Sequence, residues 1–450
     1  MTPELVEKYD ARVPRYTSYP TANHFVPEVG PSTYRKWLAA VAPTETLSLY
    51  LHVPFCTKLC WYCGCHTTII SEYDSVARYR YLLLREIDLV ADAMSARHAV
   101  SHIHWGGGTP TILKPSDFAD ICGRLRDRFD VSSNAQMSVE IDPRGFTRDM
   151  AAALAQAGTT RASLGVQDFD PEVQAAINRV QPYEVTAQTM DWLRAEGIED
   201  INVDLIYGLP RQTIRSIAST VERTLSLAPT QVALFGYAHV PWMKRHQRLL
   251  DEHALPDTRA RWTLYWTATE LLAGHGMIPV GLDHFASPDS ALARSAALGR
   301  LHRNFQGYTA DDAAVLLGFG VSAIGTLPQG YVQNAPKISH YREAIAGGNL
   351  ATVRGCAIGP DDRLRREVIS ALMCNLEVDI GMLCQAHGQA SDYLDREIAA
   401  LAPFVSDGIV AVVGRRLTLK EDARPLVRSV CAAFDAYYRP DTEPRHAKAV

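Results

Sequence analysis

From Leu47 to Leu282 the sequence alternates apolar runs of strand length with longer amphipathic runs. This alternation constrains the fold more than any other feature, because successive strand–helix units pack as a parallel sheet covered by helices. Strands are predicted at Leu47–Val53, Val100–Trp105, Met137–Ile141, Ala162–Val166, Ile201–Ile206 and Val232–Tyr237, with Met277–Leu282 as one more. Between them lie amphipathic segments such as Ser75–Met94 and Thr147–Ala157, the latter closed by Gly158 in the position that favours glycine. Asp257 is placed to cap a helix running to about Gly274. Six or seven such units make an α/β protein whose sheet is a full barrel or an incomplete one.

After about Gly355 the pattern changes. Helical runs at Asp362–Leu376 and Asp392–Ala400 precede a hairpin, Ile409–Val413 and Arg416–Leu419, and a further helix to about Tyr437. That order suggests a smaller, mostly helical, winged-helix-like module. With 45 basic against 50 acidic residues the chain carries −5, so packing or covering is the favoured role over nucleic-acid binding. The first ten residues contain Glu4, Glu7 and Asp10 and no apolar core, unlike a secretory or transit signal. The longest apolar stretch, Ala313 to Leu327, is 15 residues with three glycines, short for a membrane span and readable as buried loop and strand. We therefore expect a cytoplasmic protein in three parts: a covering segment 1–30, a catalytic domain 31–355 and a C-terminal domain 356–450.

In parallel α/β folds the chemistry gathers at the C-terminal ends of the strands. Here the first strand runs into CTKLCWYCGC and the second into Gly106-Gly107-Gly108-Thr109-Pro110. The third ends at Glu140 and Asp142, the fourth at Gln167 and Asp168, and the fifth at Asp204. His239 follows the sixth, and Asp283 and His284 follow the seventh. The series points to one active site on one rim.

Four of the nine cysteines, Cys56, Cys60, Cys63 and Cys65, fall within ten positions. In a reducing compartment such a knot means metal or redox chemistry rather than cross-links. Three cysteines spaced C-x3-C-x2-C can hold three irons of a [4Fe–4S] cubane and leave the fourth open. Zinc completed by His52, His66 or Cys65 is the competing metal, but no second, separated ligand pair exists. The C-x-C spacing of Cys65 from Cys63 is awkward for two corners of one cube. The glycine run permits close approach of a ligand or serves a bare tight turn. Glu140 and Asp204 suit helix capping or ribose hydroxyls. Together these features favour a nucleoside beside a cluster.

CTKLCWYCGC after LYLHV, followed by GGGTP, resembles the radical S-adenosylmethionine (SAM) superfamily. Arg15 to Ala22 (RYTSYPTA), Gly281 to Ala286 (GLDHFA) and Arg303 to Thr309 (RNFQGYT) resemble segments of the oxygen-independent coproporphyrinogen III oxidases, and the likeness runs over nearly the whole chain. It implies an incomplete (β/α)6, TIM-like barrel of the radical SAM kind with the smaller C-terminal domain. It also implies a [4Fe–4S] cluster on Cys56, Cys60 and Cys63, and two SAM molecules. Tyr50, Gly107, Glu140 and Ile324 would line the first SAM. Tyr62, Gly108, Thr109, Gln167, Arg179, Asp204 and Ala238 would line the second. Tyr62 stands where the family often has phenylalanine.

The implied reaction turns the propionates on rings A and B of coproporphyrinogen III into vinyl groups, giving protoporphyrinogen IX, with an unidentified electron donor and acceptor. The radical chemistry belongs to the cofactor, so no catalytic acid or base is expected. A tetracarboxylate substrate in an acidic protein needs local cations. Of the 45 basic residues only 8 are lysines, and arginine suits bidentate carboxylate binding. Arg15 and Arg303, inside the specific segments, are the candidates, with His284 beside them. The N-terminal segment is expected to cover the barrel mouth. No self-association motif is evident, so a monomer is expected. The alternative is a haem-binding chaperone of the same superfamily, whose members lack the RYTSYPTA-like segment and the fourth cysteine.

Overall fold

The computed structural model describes residues 1–439 and Lys448. Six parallel strands follow the predicted order: β1 (Leu47–Val53), β2 (Ala99–Gly107), β3 (Asp130–Ile141), β4 (Arg161–Gln167), β5 (Asp200–Tyr207) and β6 (Gln231–Gly236). After β6 come β7 (Ile278–Val280), β8 (His284–Ala286), β9 (Val315–Phe319), β10 (Ile324–Leu327), β11 (Gly330–Asn334) and β12 (Thr352–Ala357). The sheet order is β12-β11-β10-β9-β1-β2-β3-β4-β5-β6-β8-β7, an open twelve-stranded sheet. It is parallel from β9 to β6 and antiparallel at both flanks. This is an incomplete barrel, with helices on its outer face.

The strands read as near-continuous apolar runs because both faces are covered: six of the seven residues of β1 are buried. Outside, the helix Asp74–Ala93 and the helix Pro115–Arg128 pack side by side, and Trp105 of β2 meets Phe118 at 4.5 Å between ring centroids. Local signals in the sequence account for the helix ends. Thr147 accepts from Met150 N and Asp257 from Ala260 N, and Gly158 turns the chain at φ +87°.

Some expectations need correcting. Met277–Leu282 is not a further parallel strand. Only Ile278–Val280 is extended, and it pairs antiparallel with β8. Three residues separate β7 from β8, far too few for a crossover helix. The seventh parallel strand is β9 instead, inside the stretch read as buried loop and strand. In the C-terminal region the helix placed at Asp392–Ala400 shrinks to Asp395–Ala399. The run toward Tyr437 breaks into a 3-10 turn, Glu421–Leu426, a short helix, Val427–Cys431, and another 3-10 turn, Ala432–Phe434. Pro425, with no N–H to give, interrupts it. The hairpin is present at Val410–Val413 and Arg416–Leu419.

The N-terminus is tied down at several points. The helix Pro3–Tyr9 lies against the helix Thr258–Gly274. Tyr16 and Tyr19 are buried, Tyr16 donating to Asp435 at 3.1 Å and Tyr19 accepting from Ala436 N at 3.0 Å. Among the described residues no helix is long and apolar enough to cross a membrane.

Candidate active site

Two adjoining cavities open on the rim formed by the C-terminal strand ends. The first, about 150 Å³, is lined by Cys56, Cys60, Cys63 and Cys65 together with residues from β3, β4 and β5. The loop after β1 carries these cysteines and is pinned at three places. Phe55–Cys56 pairs with Thr68–Ile69, and Trp61 N donates to Ile177 O at 3.0 Å. Asn178 Nδ2 donates to Leu59 O at 2.7 Å. From the segment after β6, Lys244 Nζ donates to Cys65 O at 2.9 Å, His246 Nε2 to Cys63 O at 2.7 Å and Gln247 Nε2 to Tyr62 O at 2.9 Å. Gln247 also holds Ala238 O at 3.2 Å, so one fully buried amide joins the cysteine loop to the end of β6.

The surroundings of the four sulfurs differ. Arg144 Nη2 and Arg179 Nη1 approach Cys60 Sγ at 3.4 and 3.5 Å. Asp142 clamps both guanidiniums. Burial opposes its charge, but hydrogen bonds from Arg144 and the charges of Arg179 and Arg144 hold its pKa near about 2. The Cys63 thiol is lowered to about 6, first by a hydrogen bond from Cys65, whereas burial pushes Cys56 up to about 12. Among the described residues no three His, Cys, Asp or Glu side chains converge as ligands of a single ion. A cubane, which takes each thiolate on a separate iron, suits the cysteine spacing better than zinc does.

The triple glycine is required by the protein itself. A Cβ on Gly106 would meet Glu140 Oε1 at 2.8 Å, and one on Gly108 would meet Phe55 O at 2.5 Å. Close packing lets Gly107 N donate to Glu140 Oε2 at 3.1 Å and Gly108 N to Val53 O at 2.8 Å. Burial opposes the charge on Glu140, yet His104, at 3.2 Å from Oε1, and Gly107 N keep its pKa below the ordinary value. Asp204 behaves oppositely. Burial and the charge of Glu140 raise its pKa to about 6, despite donors from Asn202 at 2.7 Å and Ser163 at 3.3 Å. Gln167 ends β4 at φ +73°, a strained backbone for a residue with a side chain.

Of the predicted site residues, Tyr62, Gly107, Gly108, Glu140, Gln167, Arg179 and Asp204 share this cavity with the cysteines. Four lie outside its lining. Tyr50 hydrogen-bonds His52 Nδ1 at 2.9 Å, with its ring against His104. Thr109 Oγ1 accepts from Asp142 N at 3.3 Å. Ile324 starts β10 and packs near Phe25 and Tyr331. Ala238 lines the second cavity. The cavity also holds a spare donor, since among the described residues the buried Arg179 Nε has no acceptor. Cysteine donors, guanidiniums over sulfur, and two half-buried carboxyls at a glycine-lined wall fit an iron–sulfur cluster with a nucleoside beside it.

The second cavity, about 300 Å³, is basic. Arg15, Arg261, Arg303, Arg428 and Lys448 line it, and among the described residues Asp283 is the single acid there. Asp283 is shared by His284 at 2.8 Å and Arg303 at 4.0 Å. Arg303 is stacked over Tyr308, 4.4 Å from the ring centroid. Burial, and then the neighbouring Arg15, lower the pKa of Arg428 to about 10. Arg428 is buried and the Arg303 side chain is 7% exposed, whereas Arg15 and Lys448 are exposed, so the cations run from the wall of the cavity to its mouth. Cys65 lines both cavities and marks their junction. Arg15, Arg303 and His284 were legible as candidates; Arg261, Arg428, Lys448 and Arg144 were not. A usable signal was the arginine inside the apolar run LVRSVC, which places Arg428 on a buried helix.

Comparisons agree with this geometry. The Radical SAM superfamily model matches residues 50–224. The chain is 49% identical to the oxygen-independent coproporphyrinogen III oxidase of Bradyrhizobium diazoefficiens over the full length of both. It is 44% identical to that of Paracoccus denitrificans over 96% of each. The solved structure of coproporphyrinogen III oxidase from Escherichia coli, described as a radical SAM enzyme, superposes with a TM-score of 0.90 at 37% identity, covering 94% of this chain and 98% of that one. Radical SAM enzymes carry a [4Fe–4S] cluster and SAM, which the donors of the first cavity fit. The chain belongs to the oxygen-independent coproporphyrinogen III oxidase family of radical SAM enzymes.

Proposed function

We propose that this protein converts the propionates on rings A and B of coproporphyrinogen III to vinyl groups without oxygen, yielding protoporphyrinogen IX for haem biosynthesis. The observation that carries this reading is the pairing of a cysteine cavity with a basic cavity across Cys65. When bound, the cluster and SAM supply an electron and the hydrogen-abstracting chemistry.

The chain's own residues bind, orient and exclude water. Cys56, Cys60 and Cys63 are the cluster ligands, with Arg144 and Arg179 stabilising the Cys60 sulfur. Tyr50, Gly107, Glu140 and Ile324 belong to a first SAM. Tyr62, Gly108, Thr109, Gln167, Arg179, Asp204 and Ala238 belong to a second. Asp204 and Glu140 accept from ribose hydroxyls. Arg15, Arg303, Arg261 and Arg428 take substrate carboxylates through bidentate hydrogen bonds. No side chain is needed to move a proton. Residues 1–30 cover the mouth, 31–355 form the catalytic domain and 356–450 close the substrate side. The enzyme works as a cytoplasmic monomer that takes the electron for SAM cleavage from a separate donor and passes the electron released by the decarboxylating substrate to a separate acceptor.

The test is anaerobic. Protein reconstituted with iron and sulfide is mixed with SAM, dithionite, coproporphyrinogen III and an anaerobic cell extract as source of the electron acceptor, and the porphyrin products are separated after oxidation. Protoporphyrin, formed through a monovinyl intermediate, is the expected outcome. Haem binding without product would instead identify a chaperone, and stoichiometric zinc in a colourless protein would contradict the cluster.

A further inference from the structure

A third cavity of about 220 Å³ lies behind the basic one, between the RYTSYPTA segment, the hairpin His302–Asn304 and Gly307–Thr309, and the helix Pro360–Asn375. Thr17, Arg303 and Phe305 line both spaces and form the partition between them. Arg303 is the charged part of that partition. Its side chain is only 7% exposed; among the described residues its Nε finds no hydrogen-bond acceptor, and its Nη1 reaches only the Asp283 carboxylate, at 4.0 Å. A buried guanidinium with one unmatched donor and one distant carboxylate costs stability unless a ligand completes it.

The outer cavity carries a second guanidinium, Arg366, on the helix wall. The acids that border it are largely engaged. Asp311 is held by His102 at 3.1 Å and is hydrogen-bonded by Ser48, and Glu367 is paired with His387 at 3.1 Å. Asp312 is exposed. Arg303 and Arg366 therefore line this space, where two of the three bordering acids, Asp311 and Glu367, are held by other partners.

The proposed substrate makes sense of this, and the inference rests on that reading of function. A tetrapyrrole with four propionates around its rim cannot place all of them in one cavity of about 300 Å³. While one propionate is oxidised, the others need anchorage at a distance.

We infer that the outer cavity is a second carboxylate subsite, in which Arg366 and the outer side of Arg303 hold a propionate that is not undergoing reaction. Arg303 thereby joins the reacting end of the substrate to its anchored end. Arg366 determines specificity for the number of carboxylates and takes no part in the chemistry.

The experiment compares Arg366→Ala, Arg366→Lys and Ser370→Phe, the last narrowing the cavity without removing charge. Binding of the stable oxidised probe coproporphyrin III, with four carboxylates, and of protoporphyrin IX, with two, is measured by fluorescence quenching on the reconstituted holoenzyme. Circular dichroism verifies folding. Arg366→Ala should weaken coproporphyrin III binding by about 10-fold and protoporphyrin IX by less than about 3-fold, as expected for one lost charge-assisted carboxylate contact. KM should rise with kcat nearly unchanged. Lysine should restore part of the loss, and Ser370→Phe should act in the same direction as alanine. Unchanged coproporphyrin III affinity in both Arg366→Ala and Ser370→Phe would overturn the subsite while leaving the proposed reaction intact. Equal losses for both porphyrins would also overturn it. A wild-type protein that binds coproporphyrin III but never oxidises coproporphyrinogen III would defeat the proposed function instead.

Discussion

The cysteine cavity takes its lining from the loop after β1 and from the ends of consecutive strands, so its residues are ordered in sequence as they are around the rim. The basic cavity next to it takes Arg15 from the N-terminus, Arg261 from the helix Thr258–Gly274, Arg303 from a hairpin and Arg428 from the C-terminal region. The first is built by the sheet, the second by what is laid over the sheet. Cofactor chemistry that many enzymes share can sit on a repeated scaffold. Recognition of one substrate can then be added by the segments that close it.

The sharpest way to break this comparison is to remove a cysteine ligand. Cys60→Ala should abolish bound iron and lower turnover by at least about 10³-fold, since the radical chemistry belongs wholly to the cofactor. Iron content and visible absorbance check it. Normal iron loading would relocate the cluster.

Next in size are the cations of the other cavity. Arg303→Ala or Arg15→Ala should raise KM for coproporphyrinogen III by about 10- to 100-fold, as loss of a buried charge-assisted carboxylate contact does. Cluster absorbance should stay intact. Unchanged kinetics in both variants would mean that the basic cavity does not hold substrate.

Asp204 gives a prediction of opposite signs. Its folded pKa, raised by burial and Glu140 from 3.8 to about 6, makes ionisation a penalty on folding. The stability it contributes is complete below pH 3.8 and is lost as pH rises through about 6. Asp204→Asn should therefore raise Tm at pH 8 by about 2–4 °C and give no gain near pH 4. The same change should weaken SAM binding at pH 8, and wild-type affinity should fall as pH drops through about 6. Parallel loss of stability and affinity would mean that Asp204 is a structural cap. The smallest effect is expected from Gly236→Ala, whose Cβ would meet Tyr207 Oη at 2.8 Å and Arg261 Nη2 at 3.3 Å. Displacing Arg261 should raise KM by about 3-fold without altering SAM affinity.

The same division explains what could be read from the sequence. Cys56 to Cys65, Gly106 to Gly108, Glu140 and Asp204 stand at strand ends that apolar periodicity locates, so their convergence follows from topology. Tyr62 and Arg179 entered only through the family resemblance. Arg144, Lys244, His246 and Gln247 escaped because they act through hydrogen bonds to loop atoms, which no periodicity encodes. Arg261 and Arg428 escaped for a different reason: an arginine on a helix is usually surface, and only tertiary packing turns these two inward. The antiparallel direction of β7 was hidden because its three residues fit either pairing, and the short connection to β8 decides it.

Coproporphyrin III titrated into the Cys60→Ala and Arg303→Ala proteins tests the separation of duties most directly. The account predicts near-wild-type affinity, within about 3-fold, for the iron-free Cys60→Ala protein, and an affinity at least about 10-fold weaker for the iron-replete Arg303→Ala protein. Loss of porphyrin binding in Cys60→Ala with retention in Arg303→Ala would contradict it.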